Sequence, residues 1–164
     1  MSRNPMLVKL GTVLKTGEDF LLALFNNKIK ADDVIRSIIK YFIVTNIERQ
    51  QRELVYLSPA ELGFKDTVKR VDFFKRAQKQ GYKLCNLEII LQFVLQHFAV
   101  ISKNELCLFA MDPIYSVQDG NSHIIGYYCD LNGELIVVHH YASIVEDASI
   151  CEAFHVNHPW IFCK

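Results

Sequence analysis

Apolar side chains recur every three or four residues in four stretches of the chain, the spacing of a helix that buries one side. Two of these stretches, 20–25 and 34–42, follow the polar sequences 16–19 and 31–33, which are typical of helix starts. The third runs from Phe64 to Ala77 and ends at Gly81, and the fourth spans 87–98 behind the capping residue Asn86. The pattern therefore predicts that the N-terminal part is helical.

Short apolar runs with β-prone residues predict strands at 53–57, 105–111 and 160–162. Between the last two runs, Asn132-Gly133 is the pair preferred in a two-residue type I′ hairpin turn. In that register His140 shares the apolar face with Tyr127, and His139 lies on the opposite face.

Strands joined by a hairpin, without helical crossovers, indicate an α+β fold. We expect a largely antiparallel sheet with the helices packed on one face. The 164 residues contain no repeat, no low-complexity tract and no linker rich in Gly, Ser or Pro. The sequence therefore predicts a single globular domain over 1–164.

Formal net charge is zero, but the charges are unevenly distributed along the chain. Residues 1–111 hold seventeen Lys/Arg against eleven Asp/Glu, whereas 112–164 hold seven acids and one base, Lys164. Two interpretations follow: either end binds a charged partner, or the two halves face each other in one fold, which we favour.

The composition, with 51% hydrophobic and 22% charged residues, excludes wholesale disorder. No apolar run reaches the ~18 residues of a membrane span, and the N-terminus has no secretory signal pattern. The five cysteines are dispersed and odd in number, which indicates reduced thiols. We expect a cytoplasmic protein, or one delivered to another cell without a classical signal.

The chain contains six short motifs: Lys9–Thr12, Leu57–Phe64, Gly81–Cys85, Met111–Ile114, Asp119-Gly120 and the terminal Trp160-Ile161-Phe162. Together they resemble a group of small bacterial proteins of unknown function. The chain departs from the group at Asn86, where proline is usual, and its C-terminal part is poorer in Asp and Gly. The resemblance implies a compact bacterial domain, and it brings no activity and no catalytic residues.

A run of basic residues over 65–83 is the first candidate binding surface. The residues that would form its outer face are Lys69, Arg70, Lys75, Arg76 and Lys79. Such a face can contact phosphates. An overall pI near 7.0 argues against nucleic acid as the partner, and a solvated helix face explains the same pattern.

A zinc site is the second candidate, because the C-terminal segment holds the residue types of a tetrahedral centre. These residues are Cys151, His155, His158 and Cys163. Their spacing matches no familiar zinc finger, and no CxxC pair accompanies them. The sequence therefore predicts no metal and no other cofactor.

Two groups of residues are candidates for catalysis. Cys85 precedes a predicted helix N-terminus, where the dipole lowers a thiol pKa, and a histidine beside it would complete a nucleophilic pair. Asp112 and Asp119 flank a loop and form a possible acid–base pair, although Asp-Gly is first a turn signal.

The sequence contains no phosphate-binding loop, GxSxG elbow or HExxH. The interpretation adopted is therefore a non-enzymatic protein-binding domain with a protein partner, anchored by large amphipathic side chains such as Tyr128 and Trp160. The alternatives are a small hydrolase or transferase using the Cys or Asp residues, and nucleic-acid or anionic-surface binding through 65–83.

Overall fold

The fold was obtained as a computed structural model, which describes residues 4–44, 48–142, 153–155 and 157–164. It is an α+β fold with strands and helices interleaved along the chain. The strands are β1 Met6–Leu10, β2 Lys30–Ala31, β3 Gln50–Leu57, β4 Val68–Lys69, β5 Glu105–Phe109, β6 Ile114–Ser116, β7 Asn121–Cys129, β8 Leu135–Tyr141, β9 Ala153–Phe154 and β10 Trp160–Cys163. The helices are α1 Gly17–Asn26, α2 Asp33–Lys40, α3 Arg70–Lys79 and α4 Leu87–His97, with short 3-10 turns at Pro59–Leu62 and Phe98–Val100.

Eight strands form one mixed sheet in the order β1-β3-β10-β5-β7-β8-β2, with β6 paired to β7. Only the β10–β5 and β2–β8 pairs of this sheet are parallel in the described part of the chain. The largely antiparallel sheet is therefore confirmed. None of the described helices is long and apolar enough to cross a membrane.

Helix starts follow the caps that the sequence predicts. Thr16 and Asp19 form a capping box on α1, with the Asp19 amide 3.2 Å from Thr16 Oγ1. Asp32 caps α2 through the Ile35 amide, and Asn86 caps α4. Since a cap involves only three or four neighbouring residues, these caps can be predicted from the sequence without knowledge of the fold.

The N-terminal part contains both of the predicted helices, but it is not mainly helical as the sequence predicted. α1 and α2 are present, but β1, β2 and β3 interleave with them, so this part contributes three strands to the sheet. The third helix also begins later than predicted, at Arg70. The residues before it, Val68–Lys69, hydrogen-bond as β4 with β9, a long-range pairing that helical periodicity cannot reveal.

Helices cover both faces of the sheet. Phe93 of α4 contacts Phe109 and Tyr127, on the face that α1 and α2 share. Phe74 of α3 contacts Trp160, which alternates with Ile161 and so lies on the other face. The expected one-sided packing holds for three helices, and α3 departs from it.

The β7–β8 hairpin differs from the prediction by one residue. Cys129 pairs with Leu135 and Ile125 with His139, so His139 rather than His140 lies on the face with Tyr127. The turn spans Asp130–Gly133, with Gly133 at φ 89° and the Asp130 carboxylate accepting from the Asn132 and Glu134 amides. This is a type I turn followed by a glycine bulge, which is favoured here because Asp130 can hold it.

The basic and acidic halves of the chain are interleaved in the main sheet. β10 lies between β3 and β5, and β2 pairs with β8. At that second junction Lys30 Nζ is 2.6 Å from Glu134 Oε1. The charge asymmetry along the sequence is thus partly an internal match between neighbouring strands.

Candidate functional site

Cys85 is a buried thiol. Its Sγ donates to the Ile161 carbonyl at 3.6 Å, and burial, with the neighbouring Cys163 and Cys107, raises the pKa of Cys85 well above its ordinary value. No imidazole is hydrogen-bonded to it among the residues that the structure describes. A neutral, inaccessible thiol does not have the reactivity of a nucleophile, so the geometry does not favour the Cys–His site.

The candidate zinc ligands do not form a described cluster. Cys151 lies outside the described residues, His155 is exposed, and Cys163 is buried in β10. The His158 ring packs against Trp160 at 6.0 Å between centroids, and burial lowers the pKa of His158. Within the described residues, no group of three or more His, Cys, Asp or Glu side chains could hold a metal ion.

The two candidate interface aromatics are less accessible than predicted. Trp160 is fully buried between α3 and the sheet, and Tyr128 is half-buried on β7. Trp160 is therefore not exposed on the surface in the way expected of an interface anchor, because β10 occupies the middle of the sheet.

The basic helix is only partly a free surface. Lys69, Lys75 and Lys79 are exposed. Arg70 is buried with its guanidinium 5.8 Å from the Phe74 ring centre, so Arg70 does not belong to the predicted outer face. Arg76 is exposed but lies 4.0 Å over the Phe64 ring and donates to the Leu62 carbonyl. The lysines thus remain available, while both arginines contribute to packing.

Asp112 and Asp119 do not converge on a site. Asp112 is exposed, whereas Asp119 accepts from Nε2 of the fully buried His123 at 3.1 Å. Close by, His139 Nδ1 lies 2.8 Å from Asp32 Oδ2. Because a carboxylate only accepts, each imidazole donates to its own aspartate.

The two histidine–aspartate pairs and Tyr141 form what we call the His123–His139 cluster. Its members are Asp32, Asp119, His123, His139 and Tyr141. The imidazole centroids are 4.7 Å apart at 82°, and the Tyr141 ring lies 5.1 Å from His123. Oriented imidazoles suit proton transfer, but no serine, threonine or cysteine is hydrogen-bonded to either ring in the described residues. The predicted hairpin register placed His139 on the opposite face of the sheet from Tyr127, whereas the observed register places His139 beside His123.

Acid should weaken the fold through Asp119. The hydrogen bond from His123 holds the pKa of Asp119 at about 2, below the ordinary 3.8. The depressed pKa means that this contribution to stability is complete above pH ~4 and is lost as the pH falls toward ~2. We expect the Asp119 carboxyl carbon to titrate near pH 2 by NMR, and Asp119→Asn to flatten the fall in stability over that range.

The exposed Asp66 offers a matched control for this titration. Asp66→Asn should leave the acid dependence of stability unchanged. An Asp119 carboxyl that titrates near pH 4 in the folded protein would contradict the His123 hydrogen bond.

A cavity lies between the C-terminal half of α1, β2 and the start of α2. This α1–β2 groove has a volume of about 840 Å³. Its lining residues are Leu21, Leu24, Phe25, Asn26, Lys28, Ile29, Lys30, Ala31, Arg36 and Glu134. Its floor is apolar, and Phe25 remains 78% exposed at its edge.

Local hydrogen bonds at the end of α1 form this groove. The Ile29 amide donates to the Leu24 carbonyl at 2.9 Å, and the Lys28 amide donates to the Phe25 carbonyl at 3.0 Å. This is the pattern of a Schellman C-cap, which needs a left-handed residue after the helix. Lys28 takes that conformation, with φ 58°, and the chain then turns into β2.

A smaller groove of about 380 Å³ lies between α2 and β6. Ile38, Phe42, Leu87 and Ile114 supply its apolar lining. Tyr41, Tyr115 and Val117 are exposed around it, and no charged side chain lines it. This α2–β6 groove is a second apolar surface that differs from the first in having no charge.

Comparison with known proteins gives no family for this chain. No family model, no curated protein and no solved structure matches it.

Proposed function

We propose that this chain is a protein-binding domain and that the α1–β2 groove is its contact surface. The observation that carries the proposal is the exposure of Phe25 (78%) in the lining of a largely apolar cavity of about 840 Å³. Exposed aromatic side chains next to a pocket are typical anchors of protein interfaces.

The buried surroundings of the groove support this choice. Leu24 and Ile29 are nearly inaccessible and belong to the lining of the groove, whereas Lys28, Lys30 and Arg36 of the same lining are exposed. Side chains that are already packed lose little conformational entropy when a partner binds. Among the described residues that line the groove there is no Ser, Thr, Cys or His, and its one carboxylate, Glu134, is paired with Lys30.

The test is an affinity pull-down from lysate of the source cells after nuclease treatment, with partners quantified by mass spectrometry. Phe25→Ser should reduce retention of a specific protein about tenfold or more, as expected for an interface anchor. Tyr115→Ser, which removes a similarly exposed aromatic side chain from the α2–β6 groove, should retain it. Equal retention by wild type and both folded variants would overturn the α1–β2 assignment.

The exposed lysines of α3 favour a second candidate, which is contact with an anionic surface or nucleic acid. It predicts retention that is lost with nuclease or with Lys75→Glu and Lys79→Glu, and that weakens steeply with salt. Retention that Phe25→Ser removes and these lysine variants leave intact would separate the two candidates.

A further inference from the structure

The α1–β2 groove combines an apolar floor with a basic rim. Lys28, Lys30 and Arg36 line it together with one acid, Glu134. Lys30 Nζ lies 2.6 Å from Glu134 Oε1, so these two charges offset each other. Lys28 and Arg36 form no ion pair in the described part of the chain, which leaves two positive charges at the rim.

The position of Lys28 is conformationally costly. Its φ of 58° lies in the left-handed region, where glycine is the usual residue at a helix C-cap. A non-glycine residue there is strained by its Cβ. Glycine would satisfy the same Schellman hydrogen bonds with less strain, so the backbone gives no reason for lysine at this position.

Arg36 of α2 is tied to the start of the same helix by a hydrogen bond. Its Nε donates to the Ala31 carbonyl at 3.0 Å, a bond that leaves the two terminal nitrogens of the guanidinium for other acceptors. A guanidinium anchored in this way is preorganised to receive a carboxylate. The rim therefore has one anchored cation and one cation held at a strained turn.

From this complementarity we infer that the groove binds an acidic segment of a partner protein, one that carries large apolar side chains beside Asp or Glu. This inference rests on the proposed function and names the partner's chemistry. The apolar side chains contact Leu21, Leu24 and Phe25, and the carboxylates meet Lys28 and Arg36. A basic segment would place like charges together at the rim and is excluded by repulsion.

The first experiment measures binding of a short synthetic peptide of Leu and Glu at helical spacing, against a counterpart with Lys replacing every Glu. We expect the acidic peptide to bind with an affinity that falls with salt, and the basic peptide not to bind. Arg36→Glu should weaken binding about tenfold or more, as close interfacial charge pairs do. Lys79→Glu, a charge reversal on the exposed side of α3, should leave binding unchanged.

The decisive variant is Lys28→Gly. Glycine relieves the strain at φ 58°, so the melting temperature should rise, while loss of the cation should weaken binding of the acidic peptide. A variant that is more stable and yet binds less cannot be explained by unfolding. Unchanged peptide binding in both Lys28→Gly and Arg36→Glu would overturn the inference.

Two other outcomes separate this inference from the function on which it rests. If Phe25→Ser abolishes retention of a cellular partner but the charge variants do not, the groove binds protein and the acidic class is wrong. If phosphatidylserine vesicles bind through Lys28 and Arg36 and the acidic peptide does not, the rim serves a membrane surface, and the inference also fails.

Discussion

Replacing Trp160 with alanine is expected to lower the free energy of unfolding by about 3–5 kcal/mol. The Trp160 side chain is fully buried, and its ring centre lies 5.2 Å from Phe74 and 6.2 Å from Phe73. Trp160 also begins β10, where it pairs with Leu57 on one side and Leu108 on the other. Truncation therefore opens a cavity between α3 and the middle of the sheet.

Denaturant unfolding followed by circular dichroism measures this loss, and Trp160→Phe is its matched control. Phenylalanine keeps the aromatic contacts and should cost clearly less than alanine, since less volume is removed. If the free energy of unfolding of Trp160→Ala lies within about 1 kcal/mol of the wild-type value, the result would contradict the buried position of Trp160. The same result would revive the idea that Trp160 is an interface anchor.

Trp160 also shows how far sequence reasoning reaches in this fold. The run 160–162 predicts a strand, and β10 Trp160–Cys163 confirms it. Whether the strand is exposed depends on its neighbours in the sheet, β3 and β5. These strands lie about one hundred and about fifty residues before β10 along the chain. Local periodicity does not reveal the position of a strand in the sheet. The sequence alone therefore does not distinguish a core tryptophan from an exposed interface anchor.

The hairpin shows a different limit, because the decisive interaction was local. Asn132-Gly133 suits a two-residue turn, but the Asp130 carboxylate binds the Asn132 amide at 2.9 Å and the Glu134 amide at 2.7 Å. That aspartate selects the longer turn and shifts the register by one residue. This shift brings His139 next to His123. The register predicted from the two-residue turn therefore could not show that the two imidazoles are neighbours.

The candidate groove could be predicted only in its parts. The apolar run 20–25 predicts a helix from the sequence alone, and this helix is confirmed as α1. That Phe25 stays exposed, whereas Phe20 and Leu24 are buried, depends on where α2 and β2 meet α1. Likewise the Lys30–Glu134 pair joins residues from opposite halves of the chain, and only the parallel β2–β8 pairing brings them together.

Gly17→Ala is the second substitution with a large expected effect, because α1 and α2 meet there backbone to backbone. The Gly17 amide donates to the Phe42 carbonyl at 2.7 Å, and a Cβ on Gly17 would lie 1.7 Å from the Ile39 carbonyl oxygen. A backbone atom cannot rotate away, so the helices must separate. We expect a loss of about 1–3 kcal/mol or more in unfolding free energy, as in other overpacked contacts.

Glu18→Ala is the control, since Glu18 is exposed on the same first turn. It should cost no more than about 1 kcal/mol, the value of an acidic residue near a helix N-terminus. Hydrogen exchange of the α2 amides should accelerate in Gly17→Ala and not in Glu18→Ala. Because α1 carries Phe25 and α2 carries Arg36, displacement of the two helices in Gly17→Ala should also weaken binding of the acidic peptide. Equal stability of the two variants would show that α1 and α2 are not in contact at Gly17.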